Sequence, residues 1–306
     1  MNLSIVIPTY NRNEILRNTL ERVIHFKEQY YELIVVDQSG KHDSETAAYL
    51  FEAEKRQDIM LIHSDFPNLP NARNLGIRAA VGDIVLFLDD DVTISDTLII
   101  THKNDHMDKT IGCVTGKVII ENNSTVENIV FDKRIGLKDK IKRCIFCLFP
   151  YKASYVNQLG VFSDFTRDKQ MFSDACIGCN MSFKKTIFDA VGLFDINYTG
   201  NAYREDTDMA VRLRKAGYRI LYDPEAALIH HMSAGGGTRV SQSETYWLAF
   251  FKNQCYFHRK HFSSPKFFVQ FLSFFDLIRC KRQGFKIITI FNKAYIEVKN
   301  WNNKNA

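Results

Sequence analysis

Three consecutive aspartates, Asp89-Asp90-Asp91, follow an unbroken apolar run, Ile84-Val85-Leu86-Phe87-Leu88. Like charges this close raise one another's pKa and lower stability if they serve structure alone. A divalent cation removes that penalty. In an extended chain Asp89 and Asp91 point to the same side, so the two can share one ion. An all-oxygen ligand set suits Mg²⁺ or Mn²⁺, ions that also bind phosphates. The alternative is a solvated acidic turn, which the position at the end of a buried strand disfavours. Two other apolar runs end on residues able to do chemistry. Leu3–Ile7 leads to Pro8-Thr9-Tyr10, and Leu33–Val36 leads to Asp37-Gln38-Ser39.

The pattern around these residues predicts what positions them. Leu3–Ile7 reads as a strand stopped by Pro8. Residues 12–27 carry an approximate helical stripe of Ile15, Leu16, Leu20, Val23 and Ile24. Leu33–Val36 is a second strand, and its continuous apolarity implies burial on both faces. A helix near 43–56, a short strand at Met60–Ile62, a helix over 70–80 closed by Gly82, and the strand Ile84–Leu88 follow. This β-α-β-α order predicts an open α/β sheet with right-handed crossovers and helices on both faces. Ligands in such sheets sit beyond the carboxyl ends of the strands, where the aspartate cluster, Asp37 and the Pro8–Tyr10 turn all fall. No internal repeat, low-complexity segment or obvious linker interrupts the pattern.

Four segments in register, Ile-Val-Ile-Pro-Thr-Tyr-Asn (5–11), Ile-Val-Val-Asp-Gln-Ser (34–39), Asn-Ala-Arg-Asn-Leu-Gly (71–76) and Phe-Leu-Asp-Asp-Asp (87–91), resemble the inverting family 2 glycosyltransferases of GT-A fold. The resemblance covers roughly residues 3–240. It implies that Pro8, Thr9 and Tyr10 line the base and ribose pocket of a nucleotide-sugar. Asp37 would accept the N3–H of uracil or thymine. Arg73 would approach the diphosphate. Asp89 would lie near the ribose, with Asp90 beside it in the donor site, and Asp91 would hold Mn²⁺ or Mg²⁺.

The second half extends the resemblance. Residues 173–195 contain a Gly-x-Asn segment in which Gly178 would allow close backbone approach and Asn180 would bond a sugar hydroxyl; a strand and turn that only pack is the alternative. Glu205 and Asp206 open a helix that runs to Ala216 and is capped by Gly217. They match the family's acidic pair, which implies Asp206 as the catalytic base and Glu205 as a positioning group for the acceptor. Asp208 reads instead as a helix-start residue. Of His230 and His231, the resemblance implies one as a metal ligand, His230 by preference. Gly235-Gly236-Gly237-Thr238-Arg239 reads as a loop, with Arg239 countering leaving-group charge.

Rival classes fit less well. A phosphate-binding P-loop would need Gly-Lys-Ser/Thr after a strand. A sugar nucleotidyltransferase would carry its Gly-rich Thr-Arg loop after the first strand, where this chain has Pro8–Asn11. A catalytically inactive nucleotide-sugar or glycan-binding module is the remaining alternative.

Charge divides the chain of 306 residues. From Tyr246 onward 11 Lys and Arg face only Asp276 and Glu297, a net of +9; the whole chain is +5, so the first 245 residues carry −4. The same tail holds 16 of 39 aromatics. The expected organisation is a catalytic domain over 1–245 and a basic, aromatic, mainly helical extension over 246–306. The extension would pack on the catalytic domain, on a sister subunit in a homo-oligomer, or on an anionic membrane surface where a glycan or lipid-linked acceptor is met. The segment Lys138–Lys152 has the same composition. No motif supports nucleic-acid binding. Seven scattered cysteines suit free thiols in a reducing compartment. Residues 3–8 read as a strand rather than a signal peptide, and no run reaches the length of a membrane span. The expected location is therefore cytoplasmic, peripheral on the inner face of the cell membrane.

Overall fold

The structure, a computed structural model, describes residues 1–121, 151–158, 160–231, 237, 243–282 and 284–301. It begins with strand β1 (Leu3–Thr9), helix α1 (Glu14–Ile24), β2 (Glu32–Asp37), α2 (Ser44–Lys55), β3 (Met60–His63), α3 (Leu69–Ala79) and β4 (Ile84–Leu88). Strands β3-β2-β1-β4 lie side by side and parallel, in that order. Every residue of β1 and β4 is buried, as continuous apolar runs require when helices cover both faces. Two helix starts are fixed by side chains. The Asp43 carboxylate accepts the Thr46 N–H, and Asn68 Oδ1 accepts the Asn71 N–H just after Pro70. Helix α3 ends at Ala79, before Gly82; the Gly82 N–H instead donates to Ser4 Oγ.

Beyond β4 the sheet changes character. β5 (Val92–Ile94), α4 (Leu98–Asp105), β6 (Ile111–Ile120), β7 (Ser154–Asn157), β8 (Gly160–Ser163), β9 (Met171–Ser173), β10 (Asn180–Lys184), α5 (Ile187–Val191), α6 (Glu205–Lys215) and β11 (Arg219–His230) follow. The order continues β4-β10-β6-β11-β5, with β9 also on β11. β10 runs antiparallel to both β4 and β6, and β5 antiparallel to β11. The sheet is therefore mixed: β1–β4 and the β6–β11 pair are parallel, and the remaining pairings are antiparallel. These antiparallel registers matter for the site. Asn180 pairs with Leu88 and His230 with Val92, so both flanks of the aspartate cluster receive a neighbour. The strand β11 is one long element with an irregularity between Asp223 and Leu228.

One apolar cluster covers each face of the sheet. Val6, Phe87, Phe183, Phe194 and Leu213 belong to one; Ile5, Leu20, Leu86 and Leu228 belong to the other. The chain closes with α7 (Glu244–Phe262), α8 (Lys266–Leu272), α9 (Phe274–Arg282) and α10 (Ile287–Trp301). A third cluster, including Trp247, Phe251, Val269, Leu277 and Phe291, joins these helices to one another. Helix α7 faces both ways, because Phe257 lies in the first cluster with the body. Lys260 reaches Asp195 and Asp208 at 2.7 and 2.8 Å, His261 reaches Asp208 at 2.7 Å, and the Arg204 Nε–H donates to Gln254 Oε1 at 3.0 Å. The compositional change near residue 245 therefore falls just after the start of a helix that is joined to both parts. Among the described residues no helix is long and apolar enough to cross a membrane. The five described cysteines are buried and form no disulfide with one another.

Candidate active site

The carboxyl ends of β1, β2 and β4 open into a cavity of about 270 Å³. Pro8, Thr9, Tyr10, Gln38, Asn68 and all three aspartates line it, and Thr245, Tyr246 and Ala249 of α7 close the far wall. A second cavity, of about 480 Å³, lies beside it and is lined by Arg73, Cys176–Cys179, Tyr203–Thr207 and His230. Asp89 lines both.

The three aspartates diverge. Asp90 is buried, and its carboxylate accepts the Thr9 hydroxyl at 2.7 Å. Burial pushes Asp90 up to about 7; Arg12 and Thr9 pull it down, and the two flanking aspartates push it further up. Asp89 and Asp91 turn to His230 instead. His230 Nε2 lies 2.8 Å from Asp91 Oδ1 and 3.7 Å from Asp89 Oδ2. His231 is held the other way, as strand alternation demands. Its ring meets Thr93 Oγ1 at 2.7 Å and contacts Glu121, while its N–H donates to the Asp91 carbonyl at 2.9 Å. Two carboxylates and one imidazole so arranged form a donor set suited to a hard or borderline divalent cation.

Sequence reading missed Arg12. It is buried, its Nη2 3.5 Å from Asp91 Oδ2 and its Nε 3.8 Å from Asp90 Oδ1. Two of its three nitrogens, Nε and Nη1, have no hydrogen-bond acceptor among the described residues. A buried guanidinium with unused donors beside a cavity is built for an anion. Gly237 approaches it from above with φ +61°, its N–H donating to the Tyr10 carbonyl at 2.8 Å. A Cβ there would sit 2.9 Å from Arg12 Nη2, so glycine is needed for space as well as backbone. The available signal was a basic residue one turn beyond a rim strand. Gln38 was likewise passed over; it donates to the Thr9 carbonyl and accepts the Asn68 N–H, tying the rim to α3.

Arg73, expected near the diphosphate, lines the second cavity beside Asp89. Its guanidinium is buried under the second cavity, donating to Glu205 and, at 3.0 Å, to the Gly178 carbonyl, and lies 3.7 Å from Asp89 Oδ1. A Cβ at Gly178 would stand 2.7 Å from Arg73 Nη2, so it is the arginine that requires this glycine. Burial pushes Glu205 up from the ordinary carboxylate range while Arg73 pulls it back. Asp206 is half-buried at the cavity wall, its Oδ2 accepting the Gly178 N–H at 3.1 Å and its Oδ1 the Thr207 N–H at 2.6 Å. Ala202 and Arg204 take left-handed φ of +49° and +79° to turn the chain into α6 and set these two acids at its first turn.

Two predicted residues stand back. Asn180 is fully buried, its amide donating to the Ala226 carbonyl at 2.8 Å and accepting from His102 at 2.9 Å. With both ends engaged in the core, it does not reach either cavity, which corrects the expected sugar contact. Asp37 is buried behind Gln38, accepting the Ser39 N–H at 2.9 Å and lying 3.0 Å from His42 Nε2. Arg239, and Lys138–Pro150 of the second basic segment, lie outside the described residues.

Known proteins share this architecture. A structure of GalNAc-T7 with UDP, GalNAc and Mn²⁺ superposes with a TM-score of 0.61 at 16% identity, covering 84% of this chain and 50% of that one. A mannosyltransferase from Pyrobaculum calidifontis with GDP-Man and Mn²⁺ gives 0.56 at 15% identity, covering 96% and 72%. These likenesses establish the GT-A arrangement of the fold. In sequence, the chain is 27% identical over 231 residues to a poly-β-1,6-N-acetyl-D-glucosamine synthase of Staphylococcus aureus, covering 73% of this chain and 48% of the synthase. The curated relatives first matched are longer, and the chain spans 25% to 48% of their length. Residues 4–190, more than half of the chain, match the profile of glycosyl transferase family 2, and the chain belongs to that family.

Proposed function

We propose that the protein transfers a sugar from a nucleoside diphosphate donor, with uracil or thymine as base, to an acceptor hydroxyl with inversion, in cell-surface glycan biosynthesis. The observation that carries this reading is the shared position of Asp89 between two cavities, one rimmed by Arg12 and Asp91 and the other by Asp206. The base enters at the Pro8–Tyr10 and Asp37–Gln38 end. Arg12 offers its unused donors to the diphosphate. Asp206, oriented by the Gly178 N–H, takes the acceptor proton as the new bond forms. Arg73 bridges Glu205 and Asp89 by charge and fixes the wall between the cavities. Mn²⁺ or Mg²⁺ held by Asp91, His230 and Asp89 would offset charge on the departing diphosphate.

Thermal protection by UDP or dTDP in Mn²⁺, followed by a screen of nucleotide-sugars for hydrolysis and transfer, tests this. Asp91→Asn is expected to abolish the metal-dependent protection. Protection without any turnover would favour the binding-module alternative, and unchanged protection in Asp91→Asn would refute the metal site.

The acceptor reading rests on α10. Ile288, Ile296, Lys293 and Lys299 are all exposed and, at 100° per residue, share one face of that helix. The Lys266 ammonium over the Tyr295 ring brings the exposed Phe267 beside this face. Glu297 is turned aside, 3.8 Å from Lys252. An apolar-basic face without an opposing acid fits an anionic lipid surface carrying a lipid-linked acceptor. Sedimentation with anionic vesicles should retain the chain and release it when Lys293 and Lys299 become Glu. Equal binding by the double variant would remove this face of α10 as the membrane contact, and no retention of the unaltered chain would discard the membrane acceptor and leave a water-soluble glycan.

A further inference from the structure

The register of β10 brings one residue to the aspartate cluster that a magnesium or manganese site does not need. Asn180 pairs with Leu88, so the residue before it, Cys179, falls opposite the residue after β4, Asp89. The pairing of His230 with Val92 carries the imidazole to the same point from the other side. A ligand atom of Asp89, of Cys179 and of His230 thereby lie within 4.8 Å of one another. Asp91 Oδ1 completes the neighbourhood at 2.8 Å from His230 Nε2.

Hard ions gain nothing from sulfur, whereas a thiolate with an imidazole and a carboxylate is the donor combination that selects zinc-like ions. Bond lengths of about 2.3 Å to sulfur and about 2.0 Å to nitrogen and oxygen place tetrahedral ligands roughly 3.5 Å apart. The three atoms, within 4.8 Å of one another, stand close to that spacing. The surrounding charge also matters. Arg12 lies 3.5 Å from Asp91 and Arg73 3.7 Å from Asp89, so two guanidinium groups face the acids that would hold a cation. A thiolate adds the negative charge that offsets them.

We propose that Asp89, Cys179 and His230 form a second coordination mode of this site, one that takes a thiophilic divalent ion of the Zn²⁺ class and excludes the oxygen-preferring ion from Asp91 and His230. Binding breaks the Cys179 S–H bond, releases that proton to solvent and forms a sulfur–metal bond, with no change of oxidation state. The consequence is inhibition of the transferase by zinc-class ions. This inference rests on the reading of the cleft as a metal–diphosphate site, and the experiment separates the two.

Metal-free full-length protein is titrated with Co²⁺, whose thiolate complexes give a near-ultraviolet charge-transfer band that oxygen and nitrogen ligands do not. The band should appear stoichiometrically in the wild type, persist in Cys255→Ser, whose thiol is buried in the tail cluster, and vanish in Cys179→Ser. Loss of even an outer-shell partner costs metal sites about 10–100-fold in affinity, and Zn²⁺ binding by Cys179→Ser should fall at least that far while Mn²⁺ binding, followed by its paramagnetic resonance, is retained. Cys179→Ala serves the same purpose if the serine variant does not fold in its apolar surroundings. Co²⁺ binding without the band, or a band that survives in the Cys179 variants, overturns the proposal. A Cys179-dependent band in a protein that UDP and Mn²⁺ fail to protect would refute the donor reading and leave this one standing.

Discussion

The two cavities on either side of Asp89 each contain a buried arginine facing carboxylates, and the two arginines differ in how far their donors are used. In the second cavity both terminal nitrogens of Arg73 are engaged, by Glu205 and by the Gly178 carbonyl, and only its Nε has no acceptor among the described residues. In the first, Arg12 leaves two nitrogens without an acceptor and touches its aspartates only at 3.5 Å and beyond. A buried arginine whose two terminal nitrogens are both engaged holds a wall in place; one with a terminal nitrogen unused has a donor left for a ligand. Under the proposed function the first cavity would take the anionic donor and the second would position groups around the acceptor hydroxyl. Substitutions in the two should separate binding from turnover.

The largest separation is expected at Asp206. Loss of a positioned general base lowers rate by about 10²–10⁴. Asp206→Asn keeps the size and, through its one remaining oxygen, the Thr207 contact, while its NH2 cannot accept the Gly178 N–H; UDP protection in Mn²⁺ should stay near the wild-type level while initial transfer rates fall by that factor. Wild-type turnover in this variant would move the base to Glu205, whose Oε2 is also without a partner among the described residues.

Next is the helix that carries these acids. Asp208 is fully buried between the Tyr198 hydroxyl, Arg212, Lys260 and His261, and so ties α6 to α7. Burial alone would push its carboxyl up, but the His261 hydrogen bond and the Lys260 and Arg212 charges hold it well below the ordinary range. A depressed carboxylate contributes stability that is fully present above its unfolded pKa of about 4 and lost as pH falls through the folded value. Breaking such a buried cluster costs about 3–5 kcal/mol. Asp208→Asn should lower the unfolding free energy by that amount at neutral pH and flatten its acid limb, as chemical denaturation from pH 7 downward would show. An unchanged acid limb would mean the tail helix is held by apolar contacts alone.

What the sequence revealed follows from which interactions are local. Continuous apolar strands ending on Pro8, Asp37 and Asp89 are local signals, and the rim they form was legible from periodicity and the strand-end rule. The divergence of the aspartates was not, because it depends on Thr9 and His230, one before and one far after them in sequence. The same holds for Asn180. Its place in a Gly-x-Asn segment suggested a sugar contact, yet antiparallel pairing with β4 and β6 turns its amide toward His102 and Ala226. Composition marked the tail as different, and packing shows why composition alone misleads. Trp247, Phe251 and Phe291 fill an interior, while Tyr246, on the helix that carries Trp247 and Phe251, lines the first cavity.

Arg12 gives the smallest of these effects and the sharpest contrast with Arg73. Hydrogen bonds to charged groups contribute about 1.5–3 kcal/mol, or roughly 10–100-fold in affinity. Arg12→Met preserves the aliphatic packing and removes the charge. Its removal also takes away the group that pulls Asp90 down, so Asp90 becomes neutral at a higher pH and adds no new repulsion toward an anion at neutral pH. Affinity for UDP should therefore fall by that factor while affinity for uridine, which has no phosphate, is unchanged. The ratio of the two, measured by calorimetry on the same protein, isolates the phosphate contact from any general loosening of the cleft. Arg73→Met should lower both together, because it removes a wall rather than a ligand. If instead Arg73→Met weakens UDP selectively and Arg12→Met leaves it untouched, the roles of the two arginines are the reverse of what their hydrogen bonds indicate.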